Sequence, residues 1–576
     1  MSGDSFSFDL KKIKVELHIA IRECSQRGLM NSTKWLSELN YSLQDVKISP
    51  SEIVQTTCKE EPDETDAYLL AKSYFDLKEY DRCAYFTDSC QAPRNRFLHL
   101  YSCYLSWEKK KLDDMKDTTT PDPIYISNLR LLMSELKRDY LLRDLDGYGL
   151  YLYGIVLVRL NLLREAVDVL VEAVTKEPLH WGAWLELAAL ITDRVKLSSL
   201  MLPDHWMKHF FLGHTYLDQQ LNDEALEIYW MLRQNGFEKS NYILAQTAIA
   251  FHNRRDVDMA IATFRRLQEV DPYRLDNLDT YSNLLYVREM RVELAHLAQK
   301  VCEIDRFRVE TCCVIGNYYS LRSEHQKAVL YFQRALKLNP QYLSAWTLMG
   351  HEFMEMKNTN AAIQSYRQAI EVNRRDYRAW YGLGQTYEIL KMNFYSLYYY
   401  KQAQQLRPND SRMLIALGET YEKMDKINDA LKCYFRARSV GDIEGTALLK
   451  LAKLYDKQNE SEPAALAYTE YVTDCDTRQV GDKSELSQAF RYLANYYVKR
   501  GQLDDAYPYA QKCLEYEETK EEGKALLKTI AQKRSEEDEG EMQAEEGLAS
   551  ISRPRPKMPD LSTPTSQLSP MNISFN

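Results

Sequence analysis

The chain has 576 residues, more than the roughly 250–300 at which a single hydrophobic core stops growing, so it needs several cores or a stack that grows in one dimension. A formal charge of −10 provides no basic footprint for nucleic acid, and no run of ~18 apolar residues marks a membrane span. Only 20 glycines against 41 tyrosines indicate few tight turns and a helix-rich chain.

The first residues, MSGDSFSFDLKKIKVEL, lack the apolar core of a signal peptide, so an intracellular, soluble protein is expected. Apolar residues from Leu10 to Ile21, then Trp35 and Leu39, predict two short helices, with a proline-containing acidic linker over 44–63. Repeat-like units begin at Asp66, where Ala71, Tyr74 and Cys83 fall at spacings that recur later. A charged, proline-containing stretch at 109–124 reads as a solvent loop. Gly154, Ala166, Ala173 and Pro178 mark a clean unit, Trp184 and Ala188 begin one whose second helix is poorly formed, and Gly213 and Ala225 mark another.

The strongest signal follows. Gly316, Gly350, Gly384 and Gly418 recur every 34 residues, each with an aromatic three positions later (Tyr319, Phe353, Tyr387, Tyr421). An alanine stands nineteen positions after each glycine (Ala335, Ala369, Ala403, Ala437), and Trp346, Trp380 and Leu414 stand four before the last three. This order at this period is the tetratricopeptide pattern, in which paired antiparallel helices bury their apolar stripes only by stacking on neighbours. Proline at Pro340 and Pro408 lacks an N–H and stops the second helix. The expected fold is an all-α tetratricopeptide-repeat superhelix, an α-solenoid, with about twelve units over residues ~64–530.

Beyond Lys533 an acidic run and a segment rich in serine, proline and threonine should be disordered. Thr563 and Ser569, each followed by proline, are candidate phosphorylation sites there. The expected organisation is therefore 1–63, N-terminal helices and linker; 64–300, first repeats; 301–530, C-terminal repeat superhelix; 531–576, tail.

Catalytic and metal signals are weak. The eleven cysteines are scattered without a C-x-x-C pair and read as buried, reduced thiols, as at Cys312, Cys313, Cys433 and Cys513. His205 and His209 lie one helical turn apart, but Trp206 occupies the place where a zinc protease needs glutamate, so structural histidines are expected. No phosphate-cradling glycine loop and no nucleophile elbow occurs, so neither an enzyme nor a cofactor is expected.

Function should lie on the concave face lined by the first helix of each unit. Counting the glycine slot as the eighth position, the ninth places Asn317, His351, Gln385 and Glu419 there. The fifth adds Tyr381, and the twelfth and thirteenth add Glu355 and Glu388. This polar, mostly acidic row, with few basic residues, suits an extended peptide carrying arginine, whose fork pairs with a carboxylate.

The runs LDGYGLYLYGIVL (145–157), LHWGAWLEL (179–187), ETCCVIGNYYSLRSEHQKAVLYFQRALKLNP (310–340), AWTLMGHEFMEMKNTNAAIQSYRQAIEVN (345–373) and RDYRAWYGLGQTYEILKM (375–392) resemble the cell division cycle protein 23 family, the eighth subunit of the anaphase-promoting complex, the cyclosome. The resemblance implies a non-catalytic scaffold subunit of a multi-subunit E3 ubiquitin ligase controlling mitotic progression, in the nucleus and cytoplasm. It implies a homodimer formed by the first repeats, contacts with other tetratricopeptide subunits, and a groove that takes the arginine-containing C box of WD40-type activators, with neither nucleic acid nor membrane as partner. The alternative from another class is a carboxylate-clamp chaperone adaptor, which would need paired lysines or arginines in the groove.

Overall fold

A computed structural model describes residues 8–48, 65–113, 123–442, 445–478 and 482–549. The described residues form helices and turns, without strands. The chain divides into two compact units, Met1–Asn373 and Arg374–Asn576. The expected tetratricopeptide architecture is present in both: one first-and-second-helix pair is Leu343–Glu355 with Thr359–Val372, another is Tyr377–Ile389 with Asn393–Leu406.

The recurring glycines are explained by rings contributed from the second helix of the same repeat. Phe332, Tyr366, Tyr400 and Tyr434 lie over Gly316, Gly350, Gly384 and Gly418, and an added Cβ would come within 2.5 Å of the ring at all four. These rings are at most 1% exposed, and the alanines at 335, 369, 403 and 437 are fully buried. Burying each ring contributes roughly 1.5–3 kcal/mol, which requires that the two helices approach as closely as glycine allows.

The tryptophans act by hydrogen bonding as well as by volume. Trp184, Trp346 and Trp380 donate Nε1–H to the carbonyls of Pro178, Pro340 and Arg374, 2.7, 2.9 and 2.9 Å away, tying each first helix to the loop that delivers it. At Trp184, which is fully buried, the donor needs this acceptor, and in each repeat the bond also satisfies a loop carbonyl.

In seven successive repeats the turn from first to second helix is made without glycine. Arg255, Glu289, Ser323, Lys357, Lys391, Asp425 and Asn459, again 34 apart, all adopt left-handed backbone with φ between 53° and 68°. Each ends its helix in the same way: in one repeat Lys357 N–H donates to Met354 O at 2.9 Å and Asn358 N–H to Phe353 O at 2.8 Å. These bonds satisfy the last carbonyls of the helix and hold side-chain-bearing residues in a conformation that is otherwise unfavourable.

In the first unit, helices Leu10–Gln26 and Met30–Ser42 turn at Gly28, φ 75°. They pack into the repeats: Trp35 stacks on Trp181 with centroids 4.3 Å apart and meets Phe210 edge-on at 5.5 Å. The six-residue helix Arg194–Ser199 after Trp184 agrees with the poorly formed second helix read there. The loop expected at 109–124 is partly helical: helix Pro93–Asp113 runs into it, helix Pro123–Leu141 begins before its end, and 114–122 lie outside the described residues. The linker read at 44–63 lies mostly outside them too.

In the second unit, helix Lys520–Ala549 continues through the acidic run expected to be disordered. Its glutamates, alanines, lysines and glutamines are strong helix formers, and this propensity outweighs the charge. Thr563 and Ser569 lie outside the described residues.

Candidate peptide-binding groove

The row singled out from the sequence falls in both units. In the first, Asn317 on helix Val309–Leu321 is only 3% exposed. Its amide donates to Ser282 Oγ at 2.8 Å and Asn283 Oδ1 at 2.6 Å, joining two repeats instead of facing solvent. Cys313 and Thr347, in the fifth position, are likewise buried. His351 is exposed, its Nδ1 2.8 Å from the Tyr366 hydroxyl. Glu355 is exposed and has no ion-pair partner among the described residues.

Between them lies an acid that sequence reasoning passed over. Glu352 is 5% exposed, accepts from Ser320 Oγ at 2.6 Å and stands 2.9 Å from His325 Nδ1. It bridges three helices, and its position beside His351 offered no periodic signal that it points inward.

In the second unit, Tyr381 is half-buried, its ring 5.4 Å from that of Tyr400, and burial raises its hydroxyl pKa. Gln385 is exposed. Glu388 accepts from the Tyr400 hydroxyl at 2.6 Å and is ion-paired with Lys423. Burial, and then this bond to a carboxylate, push the Tyr400 hydroxyl well above its ordinary range. One repeat on, Glu422 pairs with Lys457 and accepts from Tyr434 at 3.4 Å. Glu419 pairs with Lys450 at 2.6 Å.

The acidic row of the second unit is thus matched by lysines from the following repeat. Sequence reading undercounted these cations, because a lysine 31 to 35 residues away meets the acid only through stacking. Such part-exposed pairs are worth about 0.2–1 kcal/mol each, little enough for an incoming guanidinium to displace the lysine. Further along, a cavity of about 870 Å³ is lined by Lys450, Lys453, Lys457, Arg491 and Lys499 together with Glu422, Asp456 and Glu522. Lys450 and Lys453 pair with Glu419 and Glu485, Lys457 with Glu422 and Arg491 with Glu522, so four of these five cations are answered by acids.

The described cysteines are free thiols, mostly buried, although Cys103, Cys302 and Cys433 are only partly so. His205 lies 3.7 Å from Glu16, and burial lowers the pKa of His209, so both serve packing between the N-terminal helices and the repeats. No described helix is long and apolar enough to cross a membrane.

These features define a tetratricopeptide-repeat protein with polar first-helix faces, and residues 309–342 and 350–390 match models of that repeat. The likeness to the cell division cycle protein 23 family is also borne out: residues 12–248 match the model described as Anaphase promoting complex subunit 8 / Cdc23. The human Cell division cycle protein 23 homolog is 55% identical over 306 residues, covering 53% of this chain and 51% of that protein. Anaphase-promoting complex subunit 8 of Dictyostelium discoideum is 41% identical over 352 residues, covering 50% and 59% respectively. The matches thus span about half the length of these relatives. Among solved structures, the APC/C hetero-tetramer Cut9-Hcn1 is similar in fold, with TM-score 0.50 and 18% identity over 82% of this chain and 96% of that one.

Proposed function

We propose that the chain is a non-catalytic scaffold subunit of an anaphase-promoting complex, the multi-subunit ubiquitin ligase that controls mitotic progression. It homodimerises through the repeats of residues 64–300, stacks on other tetratricopeptide subunits, and works in the nucleus and cytoplasm. The observation that carries this reading is the 55% identity to the human Cell division cycle protein 23 homolog.

The first-helix faces receive the C box of a WD40-type activator. Glu355 with His351 in the first unit, and Glu388 with Tyr381, Gln385 and Glu419 in the second, supply acceptors for an arginine and for peptide backbone. Asn317 contributes by holding the helices that present these faces. The carboxylate-clamp alternative is less well supported, because the cations it would use are already balanced by acids.

Affinity purification of the full chain tests the assignment. Recovery of a stoichiometric set of ubiquitin-ligase subunits supports it, and a solitary protein overturns it. Ubiquitin transfer by the purified chain with only activating and conjugating enzymes would overturn the non-catalytic role.

A further inference from the structure

On the second-helix side of the first unit, away from the first-helix row, a trough of about 730 Å³ opens between helices Arg291–Ile304 and His325–Leu338. Its floor is Cys312 and Ile315 of helix Val309–Leu321, and its walls carry Cys302, Phe307, Tyr331 and Leu338. Phe307 is 77% exposed and Leu338 49%, a pair of apolar side chains open to water beside a concave surface.

The next repeat shows why the trough is there. Shifting by 34 residues, Cys312 becomes Trp346, Ile315 becomes Met349, Tyr331 becomes Ser365, Arg334 becomes Gln368 and Lys337 becomes Glu371. Those residues line the corresponding, smaller hollow of about 410 Å³. Cys312 therefore sits in the slot that Trp346 and Trp380 fill with indole, and the space that those rings occupy is left open.

Charge at the trough is one-sided. Arg306, Arg334 and Lys337 line it, no acid does, and none of the three has an ion-pair partner among the described residues. The Arg334 guanidinium lies 4.8 Å from the centre of the Tyr331 ring, which holds it at the rim. The neighbouring acids are engaged locally: Asp305 accepts the Phe307 N–H at 3.0 Å, and Glu303 accepts from Gln299 at 3.3 Å. Three unpaired cations around an apolar floor are unusual in a chain of net charge −10.

We infer that this trough docks an acidic segment of a partner polypeptide, with one bulky apolar side chain, aromatic or leucine, inserted over Cys312 and Ile315 and carboxylates paired with Arg306, Arg334 and Lys337. Insertion supplies the apolar volume that the neighbouring repeats provide internally, and the flanking carboxylates give register and specificity. This chain's own segment 550–576 is a poor occupant, since it carries Arg553, Arg555 and Lys557 against the single acid Asp560.

An array of twelve-residue peptides tests the proposal, each bearing one central tryptophan, phenylalanine, leucine or alanine flanked by none, two or four glutamates, or by lysines. Full-length protein should be retained in proportion to glutamate number, only when the centre is bulky and apolar, and not by the lysine series. Cys312→Trp, which fills the slot as the next two repeats do, and the surface pair Arg334→Gln with Lys337→Glu, which copies the next repeat, should each weaken the best peptide at least tenfold. Failure to retain any glutamate peptide, equal retention by the lysine series, or unchanged affinity in both variants overturns the inference. Concentration-dependent self-association abolished by Cys312→Trp would assign the trough to a second copy and equally overturn it.

Discussion

Gly350 lies directly beneath the ring of Tyr366, and a Cβ at the glycine would stand 2.5 Å from the ring's Cε1. The ring is 1% exposed, so it has nowhere to move. Alanine would gain about 1 kcal/mol of helix propensity at position 350, but overpacking costs about 1–3 kcal/mol. Gly350→Ala is therefore expected to lower the melting temperature, and Tyr366→Leu in the same chain should recover part of the loss. A rise in melting temperature with alanine alone would show that the contact is loose.

The left-handed turns make the opposite prediction. Lys391 holds φ 59° between helices Tyr377–Ile389 and Asn393–Leu406. A side chain in that region costs about 1–2 kcal/mol, which glycine avoids. Lys391→Gly should raise the apparent melting temperature by a few degrees and Lys391→Val should lower it, both readable by circular dichroism.

Glu388 is shared between Tyr400 and Lys423, which makes the second-unit face testable in both directions. Removing the competitor by Lys423→Ala should strengthen binding of an arginine-containing C-box peptide by about 1.4- to 5-fold, the range that corresponds to a part-exposed ion pair. Glu388→Lys should weaken the same peptide, with helicity unchanged. Titration calorimetry showing no change in either variant would remove Glu388 from the site.

His180 sets a pH dependence. It is buried between Tyr148 and Tyr151, and burial, helped by the nearby Arg27 charge, pushes its pKa down to about 3. The unfolded chain takes up this proton near pH 6.5 while the folded chain resists it, so stability falls as pH drops from about 6.5 to about 3, by up to about 1.4 kcal/mol per pH unit. Replacing the imidazole by a non-titrating group, His180→Gln, should flatten this limb in denaturation measured at pH 7, 6 and 5. Parallel slopes for the two proteins would assign the acid sensitivity to other groups.

The repeat frame was legible because its contacts are short in sequence. Each glycine meets a ring sixteen residues later, in the adjacent helix of the same repeat, so the pairing is written into one 34-residue unit. The turns were less legible: the expectation that scarce glycine means few tight turns fails at Ser323, Lys357 and Asp425, where hydrogen bonds from the following residues impose left-handed backbone on ordinary side chains. The same limit explains helix Lys520–Ala549, where composition suggested disorder and local propensity prevailed.

The candidate site divided along the same line. Period and side-chain type alone determined that this is a tetratricopeptide array and which residues occupy its first helices, since those follow from 34-residue spacing. Tertiary structure decided which of them meet water or a counter-ion. Asn317 is buried because Ser282 and Asn283 of the preceding repeat accept its amide, Glu388 is neutralised because Lys423 of the following repeat reaches it, and Cys312 opens a trough because it fills with a small thiol the slot that holds an indole in the next two repeats. Exposure and pairing at a repeat surface depend on residues one repeat away, and only stacking brings those into contact.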